Sequence, residues 1–187
     1  MLAWISDAKE GLRWTQIIAS LGSVVINTVT PTNIVDWMTG NEAMTSATVY
    51  GSNYTHNVYR VTEVADTILK HIERLPSDPS TVISIHQLRG VSACAKSNSV
   101  FASREPHYML EIVGCATAPE RAKESQKWAY AVWKDLQENN SQIILPTAYI
   151  NTGTNDRKLS TLSLYFGDHV QEIVALKRRL DPDNVFN

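Results

Sequence analysis

The sequence predicts an α+β fold of the ferredoxin-like type, β-α-β-β-α-β, with an antiparallel sheet that carries its helices on one face. Two observations predict this fold. Four segments follow the residue pattern of strands, and two segments with apolar residues at three- and four-residue spacing follow the pattern of helices. The two kinds of segment alternate along the chain in the order that this arrangement requires.

The elements of this core occupy the middle of the chain. In order, we predict strand 46–54, helix 62–75, strand 81–89, strand 107–115, helix 119–138 and strand 143–151. The second helix opens at Thr117 to Glu120 (TAPE), which has the form of a capping box with proline in the first turn. Both helices place apolar residues on one face, so each can pack against the sheet.

The 187 residues are predicted to form a single domain. Its parts are a helical extension over 1–44, the ferredoxin-like core over 45–151, and a C-terminal helix with its tail over 152–187. Within the extension, helices are expected over 2–21 and 34–38, the second capped by Asn33. Pro182 ends the C-terminal helix because proline cannot continue it.

Successive strand residues point to opposite faces of a sheet, so each predicted strand divides into two sets. The small and apolar set should pack under the helices: Ala47, Val49, Gly51, Ile83, Ile85, Leu110, Ile112, Gly114, Ala148 and Ile150. The other set forms a mixed face: Tyr50, Ser52, Tyr54, Ser84, His86, Leu88, His107, Met109, Glu111, Thr147, Tyr149 and Asn151. This face can be solvated, covered by residues 1–40 or the tail, or the lining of a ligand cavity.

Two residues of the mixed face are the candidates for chemistry. Glu111 lies in mid-strand, where a carboxyl group can serve as a general acid or base, and its alternative role is a structural ion pair. His86 lies on the same face, and its alternative role is a structural histidine. We predict that Glu111 and His86 are catalytic. The predicted substrate-binding residues are Tyr50, Tyr54, Ser84, Leu88, His107, Met109, Tyr149 and Asn151; His107, at a strand start, is expected at the rim.

Composition excludes several functional classes. A net charge of −2 and a hydrophobic content of 43% argue against disorder and against a nucleic-acid-binding surface. The apolar runs are too short for a membrane span, and the N-terminus does not have the form of a signal peptide, so we expect a cytoplasmic protein. The histidines lack metal-binding spacing, which predicts no metal. Cys94 and Cys115 are interpreted as reduced thiols.

Several short motifs occur together near the C-terminus: Tyr149-Ile150-Asn151, Tyr165-Phe166-Gly167, Leu176-Lys177 and Leu180 to Phe186 (LDPDNVF). Their order and spacing resemble the C-terminus of the berberine-bridge-enzyme-like family of FAD-linked oxidoreductases. Phe101 to Tyr108 (FASREPHY) also resembles the Phe-x-x-Arg segment that precedes a strand in this family. The resemblance implies the substrate-binding half of such an enzyme, without its flavin-binding domain. It also implies that the mixed sheet face is the substrate wall.

The sequence departs from the family where such enzymes meet flavin or substrate. Thr152 stands where they typically carry an aromatic residue, often a tyrosine base, and His169 stands where they carry an asparagine. The eight glycines include no adjacent pair, and no GxGxxG or P-loop motif occurs, which argues against dinucleotide binding. We therefore expect no cofactor, with FAD as the alternative.

Three functions remain open from the sequence. The first is a flavin-free enzyme of natural-product biosynthesis that promotes cyclisation, isomerisation or dehydration of an apolar small molecule through shape and acid–base help. The second is a subunit or fragment of an FAD-linked oxidoreductase that needs a separate flavin domain. The third is a non-catalytic ligand-binding module. The expected partner is a small molecule, and a homodimer could cover the sheet face that a missing flavin domain leaves bare.

Overall fold

A computed structural model describes most of the chain. The described residues are 4–45, 48–94, 99–101, 103–149 and 159–186, and of 43–45, 92 and 159–161 only the backbone is described. The chain divides into two compact units, one up to residue 47 and one from residue 48 onward.

The first unit contains two helices, α1 (Ala8–Ala19) and α2 (Ile34–Thr45). A carboxylate oxygen of Asp7 accepts a hydrogen bond from the Glu10 backbone N–H at 2.9 Å, which caps the start of α1. Asn33 caps α2 in the same way, as predicted. Helix α1 is shorter than the predicted 2–21, and α2 is longer than the predicted 34–38. None of the residues of α1 is buried.

The second unit contains the sheet. Its elements are β1 (Tyr50–Val58), α3 (Ala65–Ile72), β2 (Thr81–Leu88), β3 (His107–Ala116), α4 (Pro119–Asn139), α5 (Leu159–Phe166) and α6 (Val170–Leu180), with 3₁₀ turns at Val61–Glu63, Gly90–Ala93 and Gly167–His169. The three strands form an antiparallel sheet in the order β1-β3-β2. The α+β class is therefore confirmed, whereas the four-stranded ferredoxin-like pattern is not.

The fourth strand, predicted over 143–151, is not formed in the part of this segment that the structure describes, which ends at Tyr149. Ile144 makes a single antiparallel bridge to Val58, and the Leu145 N–H donates to the Asn57 carbonyl at 2.8 Å. Pro146 then interrupts the ladder because it has no N–H to donate. The Ala148 N–H donates instead to the Leu164 carbonyl in α5, at 2.8 Å. The segment therefore leaves the sheet after one bridge.

Asp78 links the start of β2 to the start of α4. It accepts hydrogen bonds from the Ser80 N–H at 3.0 Å and from the N–H and hydroxyl of Thr117. The bond from the Ser80 backbone and those from Thr117 hold the pKa of the Asp78 carboxyl below its ordinary value. Because the Thr117 hydroxyl is used in this way, the predicted capping box does not form, although Pro119 does open α4.

The core lies between the sheet and helices α3 and α4. Its buried side chains are Val58, Val64, Ile68, Leu110, Ile112, Trp128, Ala129, Val132 and Leu136. Helix α4 approaches β3 at Gly114, where a Cβ atom would lie 2.5 Å from the Ala129 Cβ and 2.7 Å from the Ser125 carbonyl oxygen. Only glycine fits such an approach, so this position sets how closely the helix and the sheet pack.

The prediction for β1 assigned its residues to the wrong face. Tyr54 lies directly opposite Ile112, and Thr55 lies directly opposite Glu111. Opposed residues of antiparallel strands share a face, so Tyr50, Ser52 and Tyr54 point toward the helices. The predicted strand ended at Tyr54, but the real one continues to Val58. Two features determine which side of β1 faces the helices. The C-terminal half of the strand is buried, and the Tyr54 ring packs against Trp133 of α4.

His56 is a buried histidine on the helix side of β1, with 6% of its surface exposed. Its ring stacks on Trp133 at 5.3 Å between centroids, and its Nε2 lies 3.0 Å from the Trp133 carbonyl oxygen. A carbonyl oxygen only accepts, so Nε2 carries the proton. Burial lowers the pKa of His56 and favours the neutral ring.

The buried His56 makes stability depend on pH in a defined direction. Since the folded-state pKa is lowered, the unfolded chain binds a proton more readily than the folded chain. The free energy of unfolding should be highest above the ordinary histidine pKa of about 6.5 and should fall as the pH drops below it. His56→Phe keeps a flat ring against Trp133 and should reduce this slope between about pH 7.5 and 5.5, measured by urea unfolding.

Leu180→Phe, at an exposed position at the end of α6, is the control for this series because it removes no titratable group. It should leave the slope of the parent protein unchanged. The carboxyl groups of Asp78 and Asp135, whose pKa values are lowered mainly by the Ser80 N–H and by His71 respectively, contribute at more acidic pH. Equal slopes in the parent and in His56→Phe would contradict this account of His56.

Candidate functional site

The face of the sheet that points away from α3 and α4 is the candidate site, and we call it the outer face. Its residues are Gly51, Asn53, Thr55, Asn57, Val82, Ser84, His86, Leu88, His107, Met109, Glu111, Val113 and Cys115. Glu111 lies at its centre, directly opposite Thr55 of β1 and Ser84 of β2. The face therefore combines apolar side chains with a hydroxyl on each side of a carboxylate.

Glu111 and His86 form a hydrogen-bonded pair on this face. The distance between His86 Nε2 and Glu111 Oε2 is 3.1 Å. The side chain of His86 is 44% exposed and that of Glu111 is 23% exposed, so the pair is reachable from solvent. Since an ionised carboxylate only accepts, the shared proton lies on Nε2. The structure thus joins the two residues predicted to be catalytic, and their catalytic role remains a prediction.

The predicted substrate-binding residues are only partly assembled. Ser84 and Leu88 lie on the outer face with Met109 and His107, but the latter two are buried. His107 is 1% exposed, and its Nδ1 contacts the Glu105 carbonyl oxygen, so the expectation that it lies at the rim is wrong. Glu105 lies two residues before His107, so this contact is local to the start of β3.

The other predicted substrate-binding residues lie off the outer face or outside the described residues. Tyr50 and Tyr54 project from the opposite face of β1, for the reason given above. Tyr149 follows Pro146 in the segment that has left the sheet, and it is 37% exposed. Asn151 lies outside the described residues.

The sequence reasoning missed the contribution of β1 to the outer face. Asn53, Thr55 and Asn57 lie there instead of the tyrosines. Asn57 donates from its side-chain nitrogen to the Thr147 carbonyl at 3.2 Å and to the Thr147 hydroxyl at 2.9 Å. The local sequence offers no signal for these residues, because the predicted strand ended at Tyr54 and the two faces of β1 do not divide into apolar and polar residues.

Cys115 carries the thiol of the outer face, and its environment disfavours the thiolate form. Burial, and secondarily the negative charge of Glu111, raises the pKa of its thiol. Its Sγ donates to Asn53 Oδ1 at 3.4 Å. A thiol with a raised pKa is a poor nucleophile because the thiolate is the reactive form. Within the described ranges, His, Cys, Asp and Glu side chains form no group of three that could hold a metal ion.

A cavity of about 380 Å³ lies at the edge of β1 that does not pair with β3, and we call it the edge cavity. It is lined by Tyr54, Thr55, His56, Trp133, Gln137, Ser141, Ile144, Leu145, Pro146, Thr147, Ala148, Leu164 and Tyr165. Tyr54 therefore lines the edge cavity and not the outer face, where it was predicted to bind substrate. Among the described helices, none has both the length and the apolar character of a membrane span.

Comparison with known proteins finds the following similarities. The family model described as "Berberine and berberine like" matches residues 148–187. The "FAD-linked oxidoreductase aurO" of Gibberella zeae is 21% identical over 178 residues, which cover 95% of this chain and 34% of that protein. Two solved structures of Physcomitrella patens BBE-like 1, the wild type and a variant, match with a TM-score of 0.54 and 18% identity, over 73% of this chain and 29% of theirs.

These comparisons confirm the resemblance seen in the tail motifs. The chain spans about a third of the length of the relatives it matches. The similarity to the solved structures is a similarity of fold, because the sequence identity is low. The name of the Gibberella zeae protein makes FAD the cofactor to be tested against the residues of this chain.

The described residues do not fit the diphosphate of FAD. Such a site needs a glycine-rich turn that leads from a strand into a helix. The two strand-to-helix connections, 59–64 and 117–118, contain no glycine. The glycines of the sheet serve packing, because a Cβ at Gly114 would meet α4 and a Cβ at Gly51 would lie 2.1 Å from the Gly114 carbonyl oxygen.

The poor fit to FAD gives a direct expectation for the isolated chain. The 187-residue protein, incubated with excess FAD and passed through a desalting column, should show no visible flavin absorption, since its described residues offer no diphosphate cradle. The measurement is the visible spectrum at a known protein concentration. A flavin band that corresponds to one FAD per chain would contradict this expectation.

Proposed function

This chain is related to the C-terminal part of the berberine-bridge-enzyme-like family. From this premise we propose that its outer face binds a small molecule. We propose further that Glu111 and His86 transfer a proton to or from that molecule. One observation carries the proposal: the 3.1 Å hydrogen bond between His86 Nε2 and Glu111 Oε2. The bond joins β2 and β3 on the face that α3 and α4 leave uncovered.

The pair has the arrangement of a base and the group that orients it. The Nε2 proton of His86 is committed to Glu111, so in the neutral ring the Nδ1 lone pair is free to accept a proton. Glu111 then holds the ring in this tautomer and stabilises the imidazolium that forms, as carboxylates do beside catalytic histidines. The 44% exposure of the His86 side chain leaves its ring within reach of a ligand.

The surroundings of the pair indicate the kind of ligand. Val82, Val113 and Leu88 supply apolar surface on the same face. The hydroxyl-bearing residues opposite Glu111, Thr55 and Ser84, can each donate or accept one hydrogen bond. Binding sites for small molecules combine largely apolar surface with a few polar groups that orient the ligand, and the outer face has this composition. We therefore propose an apolar molecule with one or two oxygen functions.

Two reaction classes are compatible with such a site. Proton transfer alone supports cyclisation, isomerisation or dehydration, since holding a flexible molecule in a reactive shape removes much of a barrier. The name of the Gibberella zeae relative favours the second class, an FAD-linked oxidation. In that case residues other than those described here would hold the FAD, and the outer face would form the substrate wall.

Replacement of the pair tests its role. Glu111→Gln keeps the size of the side chain but removes the charge that stabilises an imidazolium. His86→Asn removes the base. Each variant should fold, still bind the ligand, and lose about 10²–10⁴ in turnover rate, which is the usual contribution of general acid–base catalysis. The measurements are kcat, ligand Kd and thermal unfolding for each variant.

Glu73→Gln is the matched control, because Glu73 is an exposed carboxyl group at the end of α3, away from the sheet. It should leave turnover unchanged. Parental kcat in both Glu111→Gln and His86→Asn would contradict the proposed proton transfer. Reduced stability with unchanged turnover would instead identify the pair as a structural contact.

A further inference from the structure

The edge cavity is a second candidate site, and the outer-face pair does not explain it. Tyr54 and His56 enter it from the helix side of β1, whereas Glu111 lies on the opposite face of the sheet. Its remaining walls are the C-terminal half of α4, the segment 141–148 and α5. A volume of about 380 Å³ falls within the range of small-molecule pockets, about 300–1,000 Å³.

One wall of the edge cavity is aromatic. His56 stacks on Trp133 with an angle of 6° between the ring planes, and the Tyr54 and Trp133 ring centroids are 5.9 Å apart. Leu145, Pro146 and Leu164 are among the apolar residues that complete the lining. Aromatic rings prefer stacked or edge-on contacts with other rings, so this lining suits a flat ring system.

The charged and polar residues of the cavity lining further restrict the kind of ligand that it can bind. The described residues that line the edge cavity include no Asp, Glu, Lys or Arg, so a charged ligand would lose its hydration without gaining a partner. The Thr147 hydroxyl already accepts a hydrogen bond from Asn57, which leaves its own proton to donate. His56 uses its Nε2 proton on the Trp133 carbonyl, which leaves Nδ1 as an acceptor.

We propose that the edge cavity binds a neutral, flat aromatic molecule that carries a hydroxyl group, at a site independent of Glu111 and His86. The ring lies against Trp133 and Tyr54. The hydroxyl group donates to His56 Nδ1 or accepts from Thr147. The site is separate from the proposed proton transfer because Tyr54 and His56 reach it from the helix side of β1, although Thr55 of the outer face also lines it.

Binding of 2-naphthol to the purified chain, measured by isothermal titration calorimetry, tests this site. Gln137→Trp places a bulky ring at the cavity lining and should weaken binding by about ten-fold or more, and Thr147→Val, which removes the donor hydroxyl, should also weaken it. Glu138→Trp adds the same ring one residue further along α4, at a position that does not line the cavity, and should leave binding unchanged. Thermal unfolding confirms that each variant is folded.

Related probes separate this proposal from its alternatives. Anionic 2-naphthoate and saturated decahydro-2-naphthol should bind at least about ten-fold more weakly than 2-naphthol, because one carries a charge and the other lacks a ring to stack. Glu111→Gln should not change 2-naphthol binding. Absence of 2-naphthol binding, equal binding of decahydro-2-naphthol, or equal loss in Gln137→Trp and Glu138→Trp would each overturn the proposal.

Discussion

The close packing of α4 on β3 is the constraint on which the rest of the second unit depends. At Gly114 the helix backbone lies so near the strand that even a methyl group does not fit. This contact commits Leu110, Ile112 and Gly114 to the helix side of the sheet. Since strand residues alternate, it also commits Glu111 to the outer face. The pairing of β3 with β2 then places His86 within hydrogen-bonding distance of Glu111.

The sequence was most informative where a strand alternates clearly between apolar and polar residues. β2 and β3 do so, and their outer-face residues Ser84, His86 and Glu111 were assigned to the correct face. β1 does not, because aromatic residues occur on its helix side and small polar residues on its outer side. Its orientation depends on tertiary packing of Tyr54 and His56 against Trp133, which a local pattern cannot show.

Two other features depend on contacts between distant parts of the chain. The loss of the fourth strand follows from Pro146 and from the competing hydrogen bond between Ala148 and Leu164 in α5. The contact between Glu111 and His86 joins residues 25 positions apart, and it requires the register of β2 against β3. Sequence alone placed both residues on one face but not in contact. The edge cavity was not predicted, because its walls come from α4, α5 and the segment 141–148, which are distant from one another in the sequence.

The proposed proton transfer depends on the orientation of the His86 ring, and long-range proton–nitrogen NMR of the histidine side chains measures this orientation most directly. For the neutral ring of His86, we predict a proton on Nε2 and a bare Nδ1, with this preference lost in Glu111→Leu, which removes the hydrogen-bond acceptor. A neutral His86 ring that carries its proton on Nδ1, or a tautomer unchanged by Glu111→Leu, would contradict the proposed pair.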